Sequence, residues 1–282
     1  DVLPMWIADL DFKAPPSVLK ILEEKINHGI FGYERDFLIL KQVFAAWAKE
    51  HYSWDIREEE ILFIPGVVTG LNLIAQSLGH PGESLIIQPP VYPPFFKVAS
   101  YAQMQTIETD LVERADGFYA LDFQKLESAI TPRTKLLILC SPHNPVGRVF
   151  SREELTMLAD ICIRKNLLII SDEIHCDLLF DGRRHIPIAS LSEEIAQRTI
   201  TLMAPSKTFN LAGLKCSFMI VKNPSLRSQI EEGRRGLVGC PSLLSMEAAY
   251  AAYADGFGWL QQLIVYLQEN RDFLVSFLRE EI

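Results

Sequence analysis

Lys207 stands a few residues beyond a run of apolar residues, within Ala204-Pro-Ser-Lys-Thr-Phe-Asn210. A lysine held partly out of water is less strongly protonated, and its free amine is a nucleophile toward carbonyls. Lys215, eight residues on, supplies a second positive charge that pushes the same way. Asp172 opens Asp172-Glu-Ile-His175 after another apolar run. It either caps a helix or is buried, and a buried carboxylate needs a cation or N–H groups facing it. Asn144 lies in Pro142-His-Asn-Pro-Val-Gly-Arg148. The prolines make this an ordinary turn, or they hold the Asn144 amide in place as a hydrogen-bond donor. Tyr92 sits in the equally stiff Pro89-Pro-Val-Tyr-Pro-Pro94, as a stacking platform, a hinge or a core residue. Pro65-Gly-Val-Val-Thr-Gly70 leads into a helical run and is either a plain joint or a phosphate cradle made of helix N-terminal N–H groups. Each feature alone has a bland structural explanation. Together, in this order, they do not.

Something must bring these residues to one place. Short apolar runs over 60–64, 84–88, 135–141, 167–171, 199–203 and 216–221 alternate with amphipathic stretches. That pattern predicts βα units around a mostly parallel sheet covered on both faces. Ligands in such sheets bind beyond the carboxyl ends of the strands, where the residues above fall. Ser151-Arg-Glu-Glu154 is a capping box, and Leu155, Leu158, Ile161 and Cys162 continue it as one face of a crossover helix. A last helical pattern runs through Leu260, Leu263, Ile264, Leu267, Phe273, Leu274 and Phe277, past Gly256 and Gly258. The chain opens in an apolar segment and stops inside that pattern, so both ends are expected to be cut.

Composition limits the alternatives. The chain has 282 residues, 49% hydrophobic, 22% charged and 10% aromatic, enough apolar material to exclude disorder. At roughly 150 residues per domain it forms one large or two modest units. A net charge of -9 without a basic block argues against nucleic acid as a partner. No apolar run approaches the ~20 residues of a membrane span, and no secretory leader is visible. Cys140, Cys162, Cys176, Cys216 and Cys240 are widely spaced with no CxxC pair, which predicts buried thiols, no metal site and a reducing, cytoplasmic setting.

The five features resemble, in order, those of the fold-type I pyridoxal-phosphate (PLP) enzymes, in the class I/II aminotransferase superfamily. Leu3-Pro-Met-Trp-Ile-Ala-Asp-Leu-Asp-Phe12, Gln88-Pro-Pro-Val-Tyr-Pro-Pro-Phe95 and Ser171-Asp-Glu-Ile-His-Cys-Asp177 look most like its cystathionine β-lyase (C–S lyase) branch. The resemblance implies an α/β fold of the aspartate aminotransferase type. Its large domain is a three-layer α/β/α unit with a mostly parallel mixed sheet, and the small C-terminal domain is largely absent. It implies an arm or small-domain segment over 1–28, a PLP-binding domain over 29–258, and an interdomain helix over 259–282.

The resemblance also implies roles. Lys207 would carry PLP and then act as the base at the substrate Cα. Asp172 would keep the pyridine nitrogen protonated, Asn144 would donate to the ring 3-oxygen, and Tyr92 would stack on the ring. Val67, Val68 and Ser206 would contact the phosphate, with Lys215 near it, and Tyr33 would reach the phosphate of the neighbouring subunit, which makes the protein a homodimer. His175 is either a neighbour of the ring or a satisfied polar core residue. The implied reaction is cleavage of cystathionine or a related cysteine S-conjugate, a small amino-acid substrate, to thiol, pyruvate and ammonia by Cα-proton abstraction and β-elimination. The alternatives are a class I/II aminotransferase, an inactive regulatory or binding protein of the same fold, and a generic nucleotide-binding α/β protein. The chain departs from common aminotransferases at His175 (usually Tyr), Ala204 (usually Ser) and Lys215 (usually Arg), and it ends at Ile282, before the region that holds the family's substrate-carboxylate arginine.

Overall fold

Runs of Leu, Ile and Val that alternate between two faces form the strands of this protein. The computed structural model describes residues 7–33 and 37–281, so Leu3 to Trp6 of the opening motif and Glu34 beside Tyr33 lie outside the described residues. The strands are β1 (Ile61–Ile64), β2 (Ser84–Ile87), β3 (Gln105–Glu108), β4 (Val112–Glu113), β5 (Tyr119–Ala120), β6 (Thr134–Cys140), β7 (Leu168–Asp172), β8 (Thr199–Met203) and β9 (Ser217–Val221). Seven of them make one sheet in the order β1-β9-β8-β7-β6-β2-β3, and β4 and β5 form a separate hairpin. Only β9 runs against its neighbours in that sheet, pairing antiparallel with β1 and β8; the other pairs are parallel. The mostly parallel mixed sheet is therefore observed.

The helices are α1 (Pro16–His28), α2 (Leu38–Tyr52), α3 (Val67–Leu78), α4 (Phe95–Tyr101), α5 (Phe123–Ala129), α6 (Arg152–Arg164), α7 (Glu193–Ala196), α8 (Pro205–Thr208), α9 (Pro224–Gly233), α10 (Leu243–Asp255) and α11 (Phe257–Glu281). They cover both faces of the sheet. On one face Leu136, Ile138, Ile170, Leu202 and Met219 pack against Leu71 and Ile74 of α3, Val98 of α4 and Ile230 of α9. On the other, Leu137, Leu139 and Ile169 meet Leu155, Leu158 and Ile161 of α6. Phe63, Phe218 and Ile220 meet Phe44 of α2 and Met246 of α10 on that same side. The period of two in each strand supplies both faces, and each buried Leu or Ile contributes about 1.5–3 kcal/mol.

Three local details complete the architecture. Gly70 lets α3 lie close to the sheet, because a Cβ there would stand 2.5 Å from Ile64 Cδ1 and 2.8 Å from Leu202 Cδ2. The segment 1–28 includes α1, which packs on α10 through buried Val18, a Ser17 Oγ hydrogen bond to the Ala251 carbonyl (3.1 Å) and a Lys25–Glu247 ion pair. The last helical pattern is one helix, α11, starting after Gly256 and leaving Phe273, Leu274 and Phe277 exposed. No described helix is long and apolar enough to cross a membrane.

Candidate active site

β1, β2, β6, β7 and β8 end on one edge of the sheet, and β9, being antiparallel, begins there. After β1, Gly66 takes φ 148° and ψ 150°, a conformation that disfavours any residue with a Cβ, and α3 starts at Val67 with no side chain capping it. The first N–H groups of a helix have no acceptor within it. Val67 and Val68 thus present a patch of partial positive charge suited to an anion. After β2, Tyr92 stands exposed with its ring edge-on to Phe95. After β6, His143 Nε2 lies 2.9 Å from the carbonyl of Pro90, tying the Asn144 loop to the Tyr92 loop. The Asn144 N–H points at Cys140 Sγ (3.5 Å), and its side chain lines a cavity of about 710 Å³.

Asp172, the last residue of β7, is 4% exposed. It does not cap a helix, the commoner fate of such a residue. A turn follows instead, and the Ile174 N–H donates to its Oδ1 (3.2 Å). No cation pairs with it among the described residues. Burial, opposed by that N–H and reinforced by nearby Glu173, pushes its carboxyl up to about 7. His175 lines the same cavity as Asn144, and burial first, then the charge of Lys207, pulls its imidazole down to about 4. It is therefore neutral at ordinary pH and a neighbour of Lys207, on the site side rather than in the core.

Lys207 lies in the short helix α8, half-buried, and its Nζ donates to the carbonyl of Ala8 (2.5 Å). Its pKa is lowered by burial and pulled back up by Asp9. Lys215 plays no part in that shift, contrary to the expectation from sequence. It is exposed, in a left-handed turn (φ 51°) just before β9, so solvent screens its charge. Ser206 precedes Lys207 on α8 and is partly buried. Tyr33 is fully exposed between α1 and α2. Val67, Val68, Tyr92, Asn144, Asp172, His175, Ser206, Lys207 and Lys215 thus follow, end or precede strands at one edge of the sheet, whereas Tyr33 lies between α1 and α2. Lys207, Asp172 and Tyr92 are not among the residues lining the 710 Å³ cavity, which reaches the site through Asn144 and His175.

Side chains with no role assigned from sequence hold this arrangement. Asp177 accepts hydrogen bonds from Thr208 Oγ1 (2.7 Å), Trp47 Nε1 (3.2 Å) and the Tyr52 hydroxyl, so α2 and α8 are tied through one buried carboxylate. Phe209, fully buried, meets Trp47 and Tyr253 edge-to-face and anchors the chain two residues after Lys207. Glu173 accepts from Ser171 Oγ (2.7 Å) and lies 2.6 Å from His185 Nε2. The visible signal for Asp177 and Glu173 was a carboxylate set among apolar residues, which requires partners. Their partners lie up to 130 positions away, beyond what local pattern reveals.

This edge therefore offers an amine of reduced basicity, a buried carboxyl awaiting a cation, and a helix N-terminus open to an anion. The sequence profile of Aminotransferase class I and II matches residues 7–281. Cystathionine beta-lyase PatB of Bacillus subtilis (strain 168) is 40% identical over 100% of this chain and 73% of its own length. A PLP-bound putative aminotransferase from Clostridium difficile 630 superposes with a TM-score of 0.96 at 37% identity, over 99% of this chain and 72% of that one. A PLP-bound C-S lyase from Staphylococcus hominis does so with a TM-score of 0.92 at 36% identity, over 98% and 70%.

Proposed function

The chain belongs to the class I and II aminotransferase family, and from that membership we propose that it is a PLP-dependent carbon–sulfur β-lyase. It cleaves cystathionine or a related cysteine S-conjugate to a thiol, pyruvate and ammonia. The choice of elimination rests on the 40% identity, over the whole chain, with a cystathionine beta-lyase. The observation that carries the chemistry is the state of Asp172, a carboxyl with one N–H donor and a pKa raised to about 7 by burial.

The residues present fit pyridoxal phosphate. Asp172 lacks a cation, and a protonated pyridine nitrogen is one. Lys207 offers an amine of lowered basicity for the aldehyde. Gly66, Val67 and Val68 offer uncapped helix N–H groups for the phosphate, with Ser206 and Lys215 at the same edge. When bound, the cofactor supplies an electron sink for the charge that develops at the substrate Cα. Asp172 keeps that sink effective by holding the ring nitrogen protonated. Asn144 would donate its side-chain amide to the ring 3-oxygen, and Tyr92 would cover the ring face. With the cofactor bound, the Lys207 amine would serve as the general base that takes the substrate Cα proton. Elimination would place the Cα–H electron pair in a Cα–Cβ double bond as the C–S pair leaves with sulfur as the thiolate, and water would convert the remaining three-carbon unit to pyruvate and ammonia. His175, neutral and beside Lys207, adds no competing positive charge.

In the same account the protein acts as a homodimer. Tyr33 is fully exposed, Ile30, Phe31, Leu38 and Ile39 near it in sequence are exposed too, and a second copy would cover such apolar side chains while Tyr33 reaches its phosphate site. Residues 29–258 form the cofactor-binding domain, and α11 leads on from it toward a small domain to which 1–28 contribute. The free thiols, four of them buried, support a reducing compartment such as the cytoplasm.

The second reading, transamination, is favoured by the likeness to the putative aminotransferase and uses the same residues up to Cα-proton removal. One assay separates the two. Purified holoenzyme given L-cystathionine without any keto acid should release thiol and pyruvate in equal amounts. Turnover only after a keto acid is added, with no thiol formed, would establish the transaminase instead.

A further inference from the structure

Asn210 lies three residues beyond Lys207 in a left-handed conformation (φ 57°), and its side chain is spent on a distant segment. Its Oδ1 accepts from the Leu10 N–H (3.1 Å), and its Nδ2 donates to the carbonyls of Leu10 and Phe12 (both 2.8 Å). A tyrosine holds that segment from its other side, with the Tyr266 ring of α11 edge-on to Phe12 at 5.1 Å. The two residues just before Leu10 face the lysine. Ala8 presents the carbonyl that accepts from Lys207 Nζ (2.5 Å), and the Asp9 carboxylate acts on the same amine.

We infer that Asn210 is a positioning residue for the reaction's base: by clamping residues 10–12 it holds the Ala8 carbonyl where the released amine of Lys207 docks. This rests on the assignment of Lys207 as the base. Lysine ends a flexible four-carbon stem and samples many rotamers. A neutral amine that donates one N–H to a fixed carbonyl keeps its lone pair turned elsewhere, free to take a proton. Once that proton arrives, the ammonium keeps the same carbonyl as a charge-assisted partner, with Asp9 beside it. Fixing a reacting group in this way is worth large factors in rate. An asparagine at positive φ is otherwise an ordinary turn residue, and Asn210→Gly separates the two roles. Glycine keeps the left-handed turn and removes the clamp.

The test compares wild-type and Asn210→Gly holoenzymes in two measurements. Amide hydrogen exchange at Leu10 should accelerate at least roughly tenfold in the variant, because its acceptor is gone. Exchange of the Cα proton of L-alanine with D2O should slow roughly ten- to a hundredfold, with KM changed less than about twofold. L-Alanine has no group to lose at Cβ, so this readout reports proton removal alone. It stands even if the cystathionine assay shows a transaminase rather than a lyase. Unchanged protection at Leu10 would show that the clamp is not formed in solution and would overturn the inference. So would faster exchange at Leu10 with an unaltered L-alanine rate, or a wild-type holoenzyme that exchanges no Cα proton. Asn210→Asp gives a second reading: it keeps the acceptor for Leu10 N–H but faces two carbonyls with a carboxylate, so it should protect Leu10 less than wild type and exchange L-alanine more slowly.

Discussion

Asp172 and His175 are shifted in opposite directions by one cause, burial, so their pH signatures oppose each other and removing one group exposes the other. With its carboxyl raised to about 7, Asp172 in the cofactor-free fold keeps a proton that the unfolded chain has already lost. Stability therefore falls as pH rises from the ordinary carboxylate range to 7, by about 4 kcal/mol for the full shift. His175, lowered to about 4, does the reverse: the unfolded chain binds the proton first, so stability falls as pH drops from 6.5 toward 4. Between pH 4 and 6.5 the two slopes nearly cancel, so urea unfolding of cofactor-free protein should give a nearly flat profile there in wild type, whereas Asp172→Asn, which retains only the histidine limb, should gain stability as pH rises. An unchanged pH profile in Asp172→Asn would show that this carboxyl is not the buried acid described. Lys207→Ala should lower kcat by about 10²–10⁴-fold, the usual worth of a general base, and stopped assays of thiol release measure it.

Among the elements, α3 and α8 place the site. Gly70→Ala would press a methyl group into Ile64 and Leu202, costing about 1–3 kcal/mol by overpacking and shifting the start of α3. Spectrophotometric titration should then show weaker PLP binding along with the lower unfolding midpoint. Thr208→Val removes one of three donors to buried Asp177 and should cost about 1–3 kcal/mol by denaturant unfolding. The interior strands are legible in the sequence to within a residue because they are rich in Leu and Ile and covered on both faces, as in β8 (Thr199–Met203), where even Thr199 and Thr201 are buried. β3 escaped notice because it is the sheet edge, where Gln105 and Glu108 are exposed and the composition is that of a loop. The two-residue strands β4 and β5 are too short to carry any period. Asp172 and Lys207 were legible because they follow apolar strands. The clamp of Asn210 and the tie of Asp177 were not, since their partners are close only after folding. Lys215 does not act on Lys207 as its spacing suggests, because it is exposed and solvent screens its charge.

At the scale of the whole molecule, the edge where the strands end is open toward the 710 Å³ cavity, and Tyr33 is fully exposed between α1 and α2. In the proposed homodimer each site takes Tyr33 from the second copy. Mixing Lys207→Ala with Tyr33→Ala after denaturation and refolding should return roughly a quarter of wild-type activity, since half of randomly paired dimers hold one intact site. No recovery in the mixture, with each variant still dimeric by light scattering, would place Tyr33 in its own subunit's site or in none. All of these expectations assume that the amine after β8 is where the cofactor is attached. Borohydride reduction of the purified holoenzyme, followed by peptide mass spectrometry, tests that most directly. A phosphopyridoxyl group should appear on the peptide carrying Lys207 and be lost in Lys207→Ala. A modification on another lysine such as Lys215, or none at all, would contradict the account.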